Sequence, residues 1–313
     1  MRIKGQFFTP QGAHGTARRS ADMLQAPGLS HVASDAGKHL QAPAPQTSSA
    51  RCGSGAALHA NFKLGCRSTM LITQYWNTSP PPAEVASLIC SVRQLNPGCH
   101  HMLFDENSAG EFIAAHFTAR EVSAFRACAV PAMQADYLRY CALLSTGGVY
   151  IDADMLCCES IQPIFQSPDQ ARFYVRPGRE VVPNGFFFVR SPGHPMLRCA
   201  LDVATANIER RAFKKAWFAT GPGIFSILYW MSLAEPPGRL QERLTQSHDP
   251  ENNAAMKLLA DEVASYVGNR LEEIVTGVTF SPMPTHGGPV RSVPLSYKAT
   301  QIHWTKWPGS LYR

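Results

Sequence analysis

Asp152 and Asp154 stand one small residue apart in the stretch Gly147-Gly148-Val149-Tyr150-Ile151-Asp152-Ala153-Asp154-Met155. A Gly-Gly break opens it, and a β-branched and aromatic run leads to the acids. In extended chain, side chains two residues apart point the same way, roughly 6–7 Å from one another. Both carboxylates can then face one ligand, with Ala153 leaving room beside them. Two hard oxygen donors on one face suit Mn²⁺ or Mg²⁺, which keep positions open for water and substrate phosphates. The chemistry this arrangement supports is a divalent cation gripping a diphosphate. The plainer reading of the same three letters is a solvated turn after a strand.

Other residues could share that work. Asp136 and Arg139 lie three apart on a predicted helix just upstream, so their side chains are neighbours. They form either a surface ion pair, worth little, or a carboxylate and a guanidinium that together accept from and donate to sugar hydroxyls. Late in the chain, His303 clusters with Trp304 and Trp307. A neutral imidazole can complete a metal shell, and a Trp face can cover a base or a sugar. Trp76, at the end of the first predicted strand, either does the same or packs in the core. Thr220-Gly221-Pro222-Gly223 reads as a turn, with or without a ligand against its backbone. Cys157-Cys158 reads as two packed small residues at a strand end, since no neighbouring feature marks an activated thiolate.

The elements that must position these residues follow a rhythm. Residues 70–76 read as a strand ended by Pro80-Pro81-Pro82, and 84–94 as a helix with Val85, Leu88, Ile89 and Val92 on one face. Asn96-Pro97-Gly98 stops that helix; a strand over 100–105 and a helix around 111–117 come next. Pro131 opens a helix over 132–145 that ends at Gly147. Strands over 149–152, 173–176 and 186–190, helices around 196–208 and 224–233, and a strand-like 296–302 complete the reading. Strand alternating with helix is the pattern of a parallel α/β sheet flanked by helices. In such sheets ligands bind outside the C-terminal ends of strands, where Asp152 and Asp154 fall.

Composition sets the outer bounds. The chain has 313 residues, 45% hydrophobic and 10% aromatic, enough for a substantial core. The net charge of +6 would suggest nucleic acid if it were spread along the chain. Residues 1–69 carry eight Lys/Arg and two acids, 8 − 2 = +6, which leaves 21 basic against 21 acidic residues in the rest. The basicity therefore belongs to an Ala-, Gly-, Ser-, Pro- and Gln-rich tail, and no nucleic-acid partner is expected. That tail, residues 1–68, reads as disordered: a transit or secretion address, or an extension upstream of a true start at Met70. Nine cysteines without a zinc spacing read as reduced intracellular thiols. No apolar run reaches the ~18 residues of a transmembrane segment. The expected location is the cytoplasm, with membrane association or targeting through the tail left open.

One stretch carries a specific resemblance. Ile72-Thr73-Gln74-Tyr75-Trp76 with Pro80-Pro81-Pro82, then Asn96-Pro97-Gly98, then Asp136-Tyr137-Leu138-Arg139-Tyr140 through Leu143-Leu144 and Gly147-Gly148 to Asp152 and Asp154, resembles the DXD sugar-binding glycosyltransferases. That family includes the yeast-type initiating α-mannosyltransferase, capsular polysaccharide transferases and, more distantly, the clostridial glucosylating toxins. Asn184-Gly185-Phe186, Pro192-Gly193-His194-Pro195, Thr220-Gly221-Pro222 and His303 with its tryptophans follow in the family's order, so the resemblance covers about residues 70–313. It implies a GT-A type fold as a single catalytic domain over 69–313. It also implies transfer of a sugar, with retention of configuration, from a UDP- or GDP-sugar to an acceptor hydroxyl, as in polysaccharide biosynthesis. By resemblance, Asp154 is a metal ligand, and Asp152 touches donor ribose and sugar and reaches the metal through water. Asp136 and Arg139 hold donor-sugar hydroxyls, Trp76 stacks on the base, His303 meets the metal or diphosphate, and Trp307 covers the leaving group. Lys306 stands where the family usually has Ser before that last Trp. The acceptor is a saccharide, a lipid-linked sugar or a protein. Two other readings compete: a catalytically degenerate carbohydrate- or protein-binding module, and an aspartyl-phosphate-type phosphohydrolase, whose paired acids usually lie on a first strand.

Overall fold

The computed structural model describes residues 70–233, 235–284, 288–300 and 303–313. The tail expected over 1–68 lies outside the described residues. The chain opens with β1 (Leu71–Tyr75), α1 (Ala83–Leu95), β2 (His100–Phe104), α2 (Glu106–His116), α3 (Ala119–Ala127) and α4 (Pro131–Thr146). It continues through β3 (Gly148–Ile151), β4 (Met155–Cys157), α5 (Gln162–Gln166), β5 (Ala171–Val175) and β6 (Phe186–Val189). The later half holds α6 (Pro195–Glu209), α7 (Ala216–Ala219), α8 (Pro222–Ser232), α9 (Pro237–Leu244), α10 (Pro250–Val267) and α11 (Leu271–Val275). Strands β7 (Val278–Pro282) and β8 (Val290–Ser292) follow.

Six strands form one sheet in the order β2-β1-β3-β6-β5-β7. β1 pairs parallel with β2 and β3, β5 pairs parallel with β7, and β6 runs against both of its neighbours. The fold is therefore α/β with a mostly parallel central sheet, as the alternating strand and helix signals predict. β4 and β8 make a separate antiparallel pair.

Period-two alternation sorts the strand residues between two layers. Tyr150, Phe187 and Phe173 point into the large core with α4, α6, α8 and α10. Val149, Ile151, Phe186, Phe188 and Tyr174 point to the opposite face, covered by Val92 of α1 and by Ile161 and Phe165 around α5. Because both faces are covered, β1 and β3 are buried at every position, which explains why they read as continuous apolar runs.

Helix α4 is buried all round rather than along one stripe: every residue from Met133 to Leu144 except Ala135 is buried. Its amphipathic signal is correspondingly weak, and its polar residues Gln134, Asp136 and Arg139 are inside the protein. Two elements depart from expectation. Of the strand expected over 296–302, Ser296–Ala299 form a 3₁₀ turn whose side chains are held by Glu84 and Asp154 rather than by a ladder, and 301–302 lie outside the described residues. The paired acids sit not in extended chain but in a turn closed by the Met155 amide on the Asp152 carbonyl at 3.1 Å.

The passage from α4 into β3 depends on glycine. Gly147 and Gly148 have φ of +65° and +104°. A Cβ on Gly148 would stand 2.5 Å from the Leu71 carbonyl oxygen of the neighbouring central strand. Gly148→Ala is therefore expected to cost more than about 2 kcal/mol of unfolding free energy in urea. A loss below about 0.5 kcal/mol would show that β1 and β3 can separate to admit a methyl group.

Candidate active site

The C-terminal ends of β1 and β3 open into a cavity of about 630 Å³. Its wall includes Trp76, Asp136, Arg139, Asp152, Asp154 and His303. Six of the seven residues singled out from the sequence thus come together. The seventh, Trp307, does not line the cavity. It packs against the large core, and its indole Nε1 donates to the Ser310 carbonyl at 3.2 Å.

Asp136 and Arg139 are 6% and 3% exposed, so the surface ion-pair reading is excluded by burial. The Arg139 guanidinium donates to Asp152 Oδ1 at 2.9 Å, lies 3.2 Å from Asp136 Oδ1, and donates to the Asn184 carbonyl at 2.5 Å. It also stacks over the Tyr150 ring, 4.3 Å from the centroid. Asp136 accepts from Asn184 Nδ2 at 2.9 Å and from Thr220 Oγ1 at 3.0 Å. Tyr140 closes the circuit by accepting from Asn184 Nδ2 and donating to the Thr220 carbonyl. A buried cation flanked by two carboxylates and saturated with hydrogen bonds is held where it stands, since removing one partner would strand a charge. Asp136 therefore braces Arg139 at the cavity floor, and most of its acceptor capacity is committed inside the protein.

The two acids of the turn have different surroundings. Asp152 is gripped by Arg139 on one side and by backbone on the other, its amide donating to the Gly185 carbonyl at 2.8 Å. Its Oδ2 lies where a Cβ on residue 185 would be, only 2.2 Å from that position. Gly185 is the space the carboxylate occupies. Burial raises the Asp152 carboxyl above its usual range, opposed by Arg139. Asp154 instead meets the C-terminal 3₁₀ turn. It accepts from the Tyr297 hydroxyl at 2.5 Å and pairs with the Lys298 ammonium at 2.7 Å.

Aromatic and cationic residues complete the wall. Trp76 meets Tyr297 edge to face at 5.2 Å. His303 lies 6.0 Å from the same tyrosine, and its Nδ1 accepts from the Thr305 amide at 3.4 Å. Burial depresses the His303 imidazole below its usual range, which favours the neutral ring. Arg176 and Arg291 also line the cavity and form no ion pair among the described residues. The wall thus carries Arg139, Arg176, Arg291 and Lys298 against Asp136, Asp152 and Asp154, four cations to three carboxylates.

Sequence reading missed Tyr140, Arg176, Arg291, Tyr297 and Lys298, and it gave Asn184 and Thr220 no role. Their signals were those of turns and core positions, which only the fold brings to one place.

Among the described residues, no three His, Cys, Asp or Glu side chains converge into a preformed metal cage. The fit of a divalent cation rests on Asp154 and Asp152, hard oxygen donors on one cavity wall. Asp154 already accepts a positive charge there, the Lys298 ammonium, as a stand-in. Mg²⁺ and Mn²⁺ are commonly held by one or two carboxylates with substrate phosphates completing the shell.

The comparisons bear on this geometry. Residues 82–171 match the family described as glycosyltransferase sugar-binding region containing DXD motif. This stretch of the chain is thus similar to a DXD sugar-binding region. It contains Asp136, Arg139, Asp152 and Asp154, whereas Trp76, Asn184, Lys298 and His303 lie outside it. Inositol phosphoceramide mannosyltransferase 3 of Schizosaccharomyces pombe is 28% identical over 173 residues, 53% of this chain and 46% of that protein. The chain thus matches under half the length of that relative. A solved structure, PaToxG glycosyltransferase, superposes with a TM-score of 0.37 at 16% identity, over 72% of this chain and 88% of that one. That likeness is too loose to speak to function.

Burial pushes the Asp136 carboxyl up to about 6, against Arg139, Thr220 and Asn184, which favour its ionised form. Between its unfolded and folded values the native state holds a proton that the unfolded chain has released. This stabilises the fold at the lower pH, and the contribution is lost as pH rises through about 6. The unfolding free energy of Asp136→Asn relative to wild type should therefore move about 2 kcal/mol in the variant's favour from pH 4.5 to 7. Urea denaturation at the two pH values measures it; a difference that stays flat would mean Asp136 is ionised throughout.

Proposed function

We propose that this chain transfers a sugar from a nucleoside-diphosphate donor to an acceptor hydroxyl, with Mn²⁺ or Mg²⁺ held at Asp154 and Asp152. The observation that carries the reading is that the matched region's Asp152 and Asp154, with Asp136 and Arg139, converge on one cavity where cationic side chains outnumber carboxylates. A nucleotide sugar supplies the complementary charge through its diphosphate, and the potential of such a cleft draws it in. The aromatic wall offers a face for the base at Trp76. A site at the C-terminal ends of parallel strands supports assigning the domain, over 69–313, to the GT-A type.

In glycosyl transfer the acceptor oxygen attacks the anomeric carbon as the nucleoside diphosphate leaves, and negative charge gathers on the leaving group. A bound divalent cation would stabilise that charge as a Lewis acid. The chain's own residues supply the fixed surroundings. Arg139 holds Asp152 in position for donor hydroxyls, Asp136 holds Arg139, and Lys298, Arg176 and Arg291 place further positive charge on the cavity wall. Preorganised charge of this kind acts without reorganisation at the moment of reaction. Transfer proceeds with retention, the acceptor entering on the leaving-group face, so no dedicated side-chain base is needed.

A mannosyl donor is the first to try, because the S. pombe relative is named as a mannosyltransferase. The acceptor class is a saccharide, a lipid-linked sugar or a protein, within surface polysaccharide or glycolipid synthesis. Among the described residues no helix is long and apolar enough to cross a membrane. The full chain should release nucleoside diphosphate from one member of a UDP- and GDP-sugar panel containing GDP-mannose, in a Mn²⁺-dependent way. Asp154→Ala should lower that release at least about a hundredfold. Release that survives Asp154→Ala would sink the metal assignment, and no release with no nucleotide binding would favour the degenerate binding module. Gly185→Ala, which evicts the Asp152 carboxylate from its place, should cost about tenfold or more with the same donor; unchanged kinetics would mean Asp152 tolerates displacement.

A further inference from the structure

The turn Ser296–Ala299 is anchored to the rest of the protein by its first three side chains, and two of those anchors land on proposed donor-binding residues. Ser296 donates from its amide to Glu84 Oε2 at 3.1 Å and from its hydroxyl to Glu84 Oε1 at 2.6 Å, at the start of α1. Tyr297 packs edge to face on Trp76 and donates its hydroxyl to Asp154 Oδ2. Lys298 places its ammonium on that same oxygen and lies within 3.5 Å of the Val293 carbonyl. One carboxylate oxygen thus receives both a hydroxyl and an ammonium from consecutive residues. Its partner in the pair, Asp152, is already taken by Arg139. The second acid of the pair is thus capped by the chain's own cation.

We propose that the Ser296–Lys298 turn is a latch on Asp154, which a divalent cation must displace, and that the freed Lys298 ammonium then serves the donor diphosphate. This rests on the metal-dependent reading above. The physical reason for competition is that Tyr297 and Lys298 together occupy the Oδ2 lone pairs, and an ammonium 2.7 Å from that oxygen repels a divalent cation approaching the same carboxylate. Tyr297 moves with Lys298, because the two are adjacent in a tight 3₁₀ turn. Leaving Asp154 therefore also uncovers the Trp76 face. The apparent metal affinity then equals the intrinsic affinity scaled by the fraction of unlatched molecules.

The test is Mn²⁺ titration of the full chain without nucleotide, read by the electron paramagnetic resonance signal of free Mn²⁺. Wild type is compared with Lys298→Met, Glu84→Ala and Asp154→Ala. If the turn is latched in about nine molecules of ten, Lys298→Met binds Mn²⁺ about tenfold more tightly than wild type. Removing a positive charge alone would shift that variant the same way, so Glu84→Ala decides the question. It deletes the Ser296 anchor and a negative charge together. Simple electrostatics would weaken Mn²⁺ binding in Glu84→Ala, whereas loosening the latch tightens it severalfold. With Mn²⁺ saturating, Lys298→Met should also bind nucleoside diphosphate more weakly than wild type. Glu84→Ala binding Mn²⁺ no more tightly than wild type overturns the latch and leaves the metal site standing. Mn²⁺ binding that Asp154→Ala leaves unchanged, or no binding by any of the four proteins, overturns the metal reading and the latch with it.

Discussion

A guanidinium buried beneath a cavity must be neutralised where it stands, and the site is arranged around that demand. Arg139 comes from the middle of α4, the most thoroughly buried helix of the N-terminal half. Its charge is balanced by Asp136 one turn earlier and by Asp152 beyond β3, while its second nitrogen is satisfied by the backbone at Asn184. Three separate chain segments are thereby fixed relative to one another. The cost of leaving any member unpaired in this interior is several kcal/mol. The same constraint accounts for Asn184, Thr220 and Tyr140, which satisfy the lone pairs and protons the ion triad leaves over.

This arrangement divides the labour between two acids that look equivalent in sequence. Asp152 is locked by Arg139 from one side and by the absence of a side chain at Gly185 on the other. Asp154, two residues on, is held, among the described residues, by Tyr297 and Lys298 of the C-terminal 3₁₀ turn. A rigid acid beside an exchangeable one is what a site needs if one carboxylate orients a ligand and the other accepts an incoming cation. The turn at Asp152–Met155 produces this difference; in extended chain both side chains would have shared one environment.

Much of the fold was legible because periodicity survives burial. Val85, Leu88, Ile89 and Val92 marked α1, and the alternation of strand and helix through Asp154 gave the parallel half of the sheet. The Pro at the start and Gly at the end of α4 fixed its bounds nearly to the residue. Other elements gave no usable signal. α3 follows α2 after a two-residue link, and its one local signal, the capping box of Thr118 and Glu121, was not read. β7 joins the sheet beside β5 across more than a hundred residues, and a short strand with partly exposed residues carries little pattern of its own. The segment after β8 has strand-like composition, yet its side chains are claimed by Glu84, Trp76 and Asp154, and it folds as a 3₁₀ turn.

The sequence by itself determined the candidate groups and their spacing: the Asp152 and Asp154 pair, the Asp136 and Arg139 pair, and the Gly-Gly entry to β3. Type and spacing over a few residues are local properties. What only the tertiary structure decided is what those groups touch. It turned an apparent surface ion pair into a buried triad, left Trp307 on the core instead of the cavity, and brought Lys298, more than 140 positions away, onto Asp154. Contacts between distant segments depend on how sheet and helices pack, and a side chain's charge is worth little or much according to whether water or protein surrounds it.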